Sequence, residues 1–187
     1  VLLAALAAAV AGAISMAAGE YIATKSQEEV FDGERELERE HLEFHRDRER
    51  DEIREMFGNM GLEDHLVEEI VESLDKDDEA FLQVMMALEF GVVEEERRSP
   101  VRAAVFSGLL FLAGSLPSVL PFVFIDNSTT GLWVAAVASG IALFIVGAVK
   151  TVTTRKNPIV SGLENMAIAA GGAVLSFVIG RAYDSFA

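Results

Sequence analysis

Apolar residues along this chain fall into two regimes. Val1–Ile22, Ala103–Phe124, Leu132–Val149 and Ile159–Gly180 are almost continuously apolar, over 18 to 22 residues each. A helix needs about 20 such residues to cross the hydrocarbon of a bilayer. Between the first and second of these stretches, Gln27–Arg98 changes to sparse apolar positions in a charged background. There the spacing predicts a long helix over Glu28–Phe57, with Val30, Phe31, Leu37, Leu42, Phe44, Ile53, Met56 and Phe57 as its apolar positions. Gly58–Gly61 breaks it. A short amphipathic helix follows over Glu63–Leu74, then a turn at Asp75–Asp78 and a third helix over Glu79–Glu96. Pro100 marks the return to apolar sequence. The fold class predicted is an all-α integral membrane protein, a transmembrane helix bundle with a three-helix acidic domain inserted after the first visible helix. Its divisions fall at residues 1–26, 27–98 and 99–187.

Charge sharpens this division. Gln27–Arg98 holds 26 of the 30 acidic residues and 9 of the 15 basic ones, so that segment alone carries −17 of a chain whose net charge is −15. Such a surface repels phosphate, which argues against nucleic acid as a partner. Cysteine is absent, so disulfides, thiolate metal sites and cysteine nucleophiles are excluded. Metal ligands must come from carboxylate, imidazole, thioether or backbone oxygen, a set suited to hard and borderline divalent cations. The distribution of Lys25, Arg97, Arg98, Arg102, Lys150, Arg155 and Lys156 places the acidic domain in the cytoplasm. The loop Pro121–Gly131, on the far side, contains neither Lys nor Arg. The chain opens inside an apolar helix, without Met and without a basic leader, so an element upstream is expected.

Small residues recur every four positions at Ala4, Ala8 and Gly12, and again at Gly172, Ser176 and Gly180. Such stripes let helices approach closely, and their number predicts a homodimer. Pro117 and Pro121 are expected to kink or end the helix that contains them.

Several constellations are candidates for chemistry. Met16 and Glu20 are four apart, share one helix face and continue the first small-residue stripe. A carboxylate in an apolar helix is costly, so Glu20 is a candidate for the transport path, with an interfacial anchor as the plain alternative. Glu164 raises the same question, with Lys150 as its expected neutralising partner. In the acidic segment, Glu40/Glu43 and Glu49/Glu52 form two Glu-x-x-Glu pairs, and Met85, Met86 and Glu89 a third cluster. Carboxylates with a thioether favour a borderline cation over calcium, though acidic helices often carry such pairs and methionines often only pack a core. Glu38-x-x-His41 matches the element used by di-iron carboxylate bundles, but the second copy that chemistry needs is missing. No EF-hand loop, phosphate loop or catalytic triad is present in the sequence.

The run Gly12-Ala-Ile-Ser-Met-Ala-Ala-Gly-Glu-Tyr-Ile-Ala-Thr-Lys-Ser-Gln27 resembles the second transmembrane helix of the vacuolar iron transporter family. The acidic helical insert, the Met85-Met86-x-x-Glu89 cluster and the three later apolar helices resemble that family too. The resemblance implies a five-helix dimer that exchanges ferrous iron, sometimes manganese, for protons. It also implies a cytoplasmic domain that binds metal through glutamates and methionines. Carried over by position, Glu40, Glu43, Glu49, Glu52, Met85, Met86 and Glu89 fall on the family's metal-binding pattern, and Met16 on its translocation path. Plant members have a glutamate where this chain has Ala8, which moves the expected proton carrier to Glu20. The family's first helix, with its transport aspartate, is not within this sequence.

The resulting expectation is a transporter, not an enzyme, that moves ferrous iron out of the cytosol in exchange for protons. No prosthetic group is expected. Fe2+ is the transported and bound ion, with Mn2+, Co2+ or Zn2+ as substitutes. The partners are divalent metal ions, protons, the lipid bilayer and a second copy of the chain. The location expected is a vacuolar membrane in a eukaryote or the cell membrane in a prokaryote. The main rival reading is a membrane-anchored metal sensor or buffer, with a di-iron oxidase as a distant third.

Overall fold

The computed structural model describes residues 1–91 and 97–186. Among them every regular element is a helix: α1 Leu2–Phe44, α2 Arg46–Asn59, α3 Asp64–Leu74, α4 Asp78–Glu89, α5 Pro100–Val119, α6 Pro121–Phe124, α7 Ser128–Val149, α8 Thr151–Thr154 and α9 Pro158–Phe186. Four helical stretches are long and apolar enough to cross a membrane, at Leu2–Phe44, Pro100–Val119, Ser128–Thr154 and Pro158–Tyr183. In their most apolar windows at most 11% of residues are buried.

The described residues form two compact units, one of Val1–Ile14 with the chain from Gly108 onward, the other of Ser15–Ser107. In the first, α7 and α9 are the main packed pair. Gly147 makes their approach possible: a Cβ there would stand 2.5 Å from the Ser161 carbonyl oxygen and 2.8 Å from Gly162 Cα. Gly162 is needed for the same reason, because the Phe144 ring occupies the space a side chain would take. Gly12 likewise accommodates the ring of Phe111. At Gly172 and Gly180, by contrast, a Cβ would meet nothing within 4 Å, so neither glycine is needed for a close approach among the described residues.

One expectation about the apolar helices changes in detail. Pro117 lies inside α5 without ending it, and the interruption comes at Leu120, with Pro121 at the start of α6. Asn127 caps α7, its side-chain oxygen accepting from the backbone N–H groups of Thr129 and Thr130 at 3.0 and 3.1 Å.

The second unit holds the acidic helices. α1 crosses from apolar to charged sequence without a break, since Glu, Arg, Lys and Leu are all good helix formers. The expected single helix over Glu28–Phe57 is in fact two. His45 leaves helical geometry at φ −134° and ψ 32°, ending α1 at Phe44 and starting α2 at Arg46. The acidic segment is therefore built from the end of α1 and three further helices. Gly61, at φ +89°, allows the turn from α2 into α3. Asp77 caps α4 by accepting from the N–H groups of Glu79 and Ala80. α4 ends at Glu89, where the sequence predicted helix to Glu96. Gly91 follows at φ +64°, and Val92–Glu96 lies outside the described residues.

A conventional core joins these helices. Leu42, Ile53, Val67, Val71, Phe81 and Met85 form one buried cluster, and Phe31, Leu82 and Met86 a second. Ion pairs fasten the rim. Arg46 on α2 donates to Asp75 and Asp78, both at 2.7 Å, Arg54 binds Glu68 on α3 at 2.8 Å, and Arg35 on α1 pairs with Glu79 on α4.

Candidate metal centre

The buried face of α1 in the acidic unit runs through Phe31, Glu38 and Leu42, at spacings of seven and four residues. Glu38 is therefore carried inward by the same stripe that forms the core. On α2, Glu49 and Ile53 are the buried pair, one turn apart. Each element thus turns one carboxylate inward beside its apolar anchor, and His41 stands one turn after Glu38.

Glu38, His41 and Glu49 come together so that one ligand atom from each lies within 4.8 Å of the others. His41 Nδ1 is 3.6 Å from Glu38 Oε1 and 3.8 Å from Glu49 Oε1. Among the described residues neither carboxylate pairs with Lys or Arg, although Arg35, Arg46 and Arg54 are engaged nearby on the rim. Glu49 is 1% exposed, and among the described residues its Oε2 has no hydrogen-bond partner. A buried, unpaired carboxylate oxygen is costly unless a proton or a cation satisfies it.

The electrostatics agree with this crowding. Burial raises the Glu38 carboxyl to about 7, with further upward pushes from Glu89, Glu49 and Glu52 that His41 partly offsets. Glu49 is raised as well, first by burial and then by Glu52, while His41, Arg48 and His45 act in the opposite direction. Glu89 is solvent-exposed, yet partial desolvation and then Glu52 and Glu49 raise it too. Four carboxylates therefore repel one another around His41. A divalent cation would relieve that repulsion and supply the missing partner of Glu49.

The residues singled out by the sequence pattern fall into three groups. Glu49, Glu52 and Glu89 are electrostatically coupled in this cluster, with Glu52 also accepting from Arg48 at 3.1 Å. Met85 and Met86 are buried, packed in the first and second apolar clusters respectively. Glu40 and Glu43 are exposed, on the face of α1 away from Phe31 and Leu42, and belong to no described group of three potential ligands. The sequence pattern passed over Glu38 and His41 as ligands. The available signal was the seven-residue spacing from Phe31 to Glu38, which puts that glutamate, rather than Glu40, on the core face.

In the apolar part of α1, Met16 is 49% exposed and Glu20 half-buried, one turn apart on the same helix. Glu164 is exposed. Lys150, its expected partner, donates instead to the side-chain oxygen of Asn165 at 3.1 Å.

Comparison with known proteins decides the kinship. The profile described as the VIT family matches residues 1–181. The chain belongs to the VIT family. Vacuolar iron transporter 1 of Tulipa gesneriana is 31% identical over 185 residues, covering 99% of this chain and 75% of the tulip protein. Vacuolar iron transporter 1 of Eucalyptus grandis is 31% identical over 187 residues, 99% of this chain and 74% of that protein. The Arabidopsis thaliana protein of the same name is 29% identical over 181 residues, 97% of this chain and 72% of its own. In this VIT chain the match extends across both the apolar helices and the acidic ones.

Proposed function

We propose that this chain transports ferrous iron across a membrane, out of the cytosol, in exchange for protons, with manganese as a second cargo. The observation that carries the reading is the alignment of nearly the whole chain with relatives named as vacuolar iron transporters. In this reading the acidic domain, residues 27–98, faces the cytoplasm, as the distribution of Lys and Arg favours. It gathers cations at Glu38, His41 and Glu49 with support from Glu52 and Glu89. The thioethers of Met85 and Met86 form the apolar wall from which Glu89 projects. Glu40 and Glu43 contribute negative potential that concentrates cations near the site.

Met16 and Glu20 line the route through the bilayer. They offer a soft and a hard ligand on one face to a cation leaving water, and Glu20 exchanges a proton for it. Two copies form the working unit, joined through small-residue stripes such as Gly172–Ser176–Gly180, where a Cβ at either glycine would meet nothing within 4 Å among the described residues. The membrane is that of a vacuole or the cell.

The test is uptake of ferrous iron by proteoliposomes containing the full chain, with a pH gradient imposed. The reading requires flux that follows the gradient. Met16→Ala should slow it while leaving metal affinity in the acidic domain intact, and Glu20→Gln should weaken its dependence on the gradient. Metal binding without flux at any gradient would leave a membrane-anchored sensor or buffer in its place.

A further inference from the structure

The Glu38-x-x-His41 element was set aside in the sequence because a di-iron centre needs a second copy. The structure gives it another partner, Glu49 across the break at His45, and so a donor set of two carboxylates and one imidazole. We propose that His41 makes this site a selective one, holding ferrous iron, cobalt and zinc in preference to manganese, magnesium and calcium. The proposal rests on the metal-handling reading above and narrows its cargo.

The chemistry follows from the donors. Magnesium, calcium and manganese favour oxygen ligands throughout, whereas imidazole nitrogen suits iron and the later first-row ions. Glutamates alone would follow the same order along the first-row series with a shallower rise. One nitrogen donor steepens the rise in affinity from manganese through iron to cobalt, because covalent donation from nitrogen increases along that series. The geometry supplies the nitrogen. His41 Nδ1 faces both carboxylates, at 3.6 and 3.8 Å, while the ring is only partly exposed. Glu49 supplies the second, independent sign of a ligand site, a carboxylate 1% exposed whose Oε2 has no hydrogen-bond partner among the described residues. The neighbouring ring of His45, with its centroid 6.5 Å away, lies in an exposed residue outside this group of three.

The experiment is competitive titration of the full-length protein in detergent with cobalt and with manganese, comparing wild type with H41E and H41Q. The wild-type protein should prefer cobalt, and H41E, which replaces the nitrogen by a third carboxylate, should lower that preference several-fold because the donor that favours the later ions is gone. X-ray absorption at the cobalt edge should show imidazole scattering in the wild type and its loss in both variants. The wild-type spectrum keeps the test valid even if a variant folds poorly. An unchanged cobalt-to-manganese ratio in folded H41E, the absence of imidazole around cobalt, or no cobalt binding at all would overturn the proposal. None of these measurements needs flux. Selective binding without transport would therefore sink the transport reading alone, and transport with an unaltered metal preference in H41E would sink only this one.

Discussion

The apolar helices and the acidic helices of this chain solve opposite problems. In α5, α7 and α9 large side chains such as Phe106, Trp133, Ile168 and Phe177 point outward, each at least 65% exposed. What those helices keep inside is mostly small: Gly108, Gly131, Ala135, Gly147, Ser161 and Gly162, with Val119 at the end of α5. In the acidic unit the order is reversed. Ile53, Val71 and Phe81 are fully buried, and the outer surface is charged. Burial of large apolar groups drives association only where the surroundings are water. In hydrocarbon the outer Leu and Phe are already solvated, and close backbone approach becomes the means of packing. The comparison also locates the chemistry. A titratable cluster can be held at defined distances where a core fixes the side chains around it, as the core below Glu38 and Glu49 does.

The strongest way to break this comparison is to truncate a large side chain in each region. Phe81→Ala in the acidic core should cost about 3–5 kcal/mol through the cavity it leaves. Leu175→Ala, on the outer face of α9, should stay within about 0.5 kcal/mol, as surface substitutions do. Local opening energies from hydrogen exchange of the full chain in detergent would read both, and equal losses would erase the distinction.

Next in size is the effect of pH on the acidic unit. Glu38 loses its proton near 7 when folded and near 4.5 when unfolded. Over that interval the folded state holds more protons, so stability falls as pH rises and is fully lost from this source above 7. The effect amounts to at most about 3 kcal/mol. Denaturant midpoints followed by circular dichroism should fall between about pH 5 and 8, and Glu38→Gln should flatten the slope. A stability that climbs through that range would mean that ionised Glu38 already has a partner.

A third test concerns small residues. Gly147→Leu should drive α7 and α9 apart at a cost of about 1–3 kcal/mol, whereas Gly172→Leu should leave the single chain's packing intact. Reduced thermal stability of the detergent-solubilised Gly147 variant, against an unchanged monomer for the Gly172 one, is the expected outcome. The same Gly172 variant examined by light scattering reports on dimer contacts.

The smallest effect should be common to both regions. Asp77 caps α4 and Asn127 caps α7 through paired backbone contacts of the same kind. Asp77→Ala and Asn127→Ala should each cost about 1 kcal/mol. A much larger loss at Asn127 would show that the end of α7 is shielded from water that could replace the cap.

The sequence alone determined the division into apolar and acidic helices, the four helical stretches long and apolar enough to cross a membrane, and the breaks at Gly58–Gly61 and Pro121. These follow from composition and from backbone chemistry local to a few residues. It also marked Glu49, Glu52 and Glu89 as candidates. Tertiary structure decided the rest. No breaker residue announces the end of α1 at Phe44, since His45 can be helical as easily as not, and packing of α2 against the core sets the break. Choosing among the many glutamates of α1 required knowing which face is inward. Glu38 and His41 gained their neighbour Glu49, eight residues past His41, only when the chain turned at His45. A local pattern records spacing along one helix, whereas a ligand set is a distance between helices. That distance exists only once burial of Leu42, Ile53 and Phe81 has fixed how the helices cross.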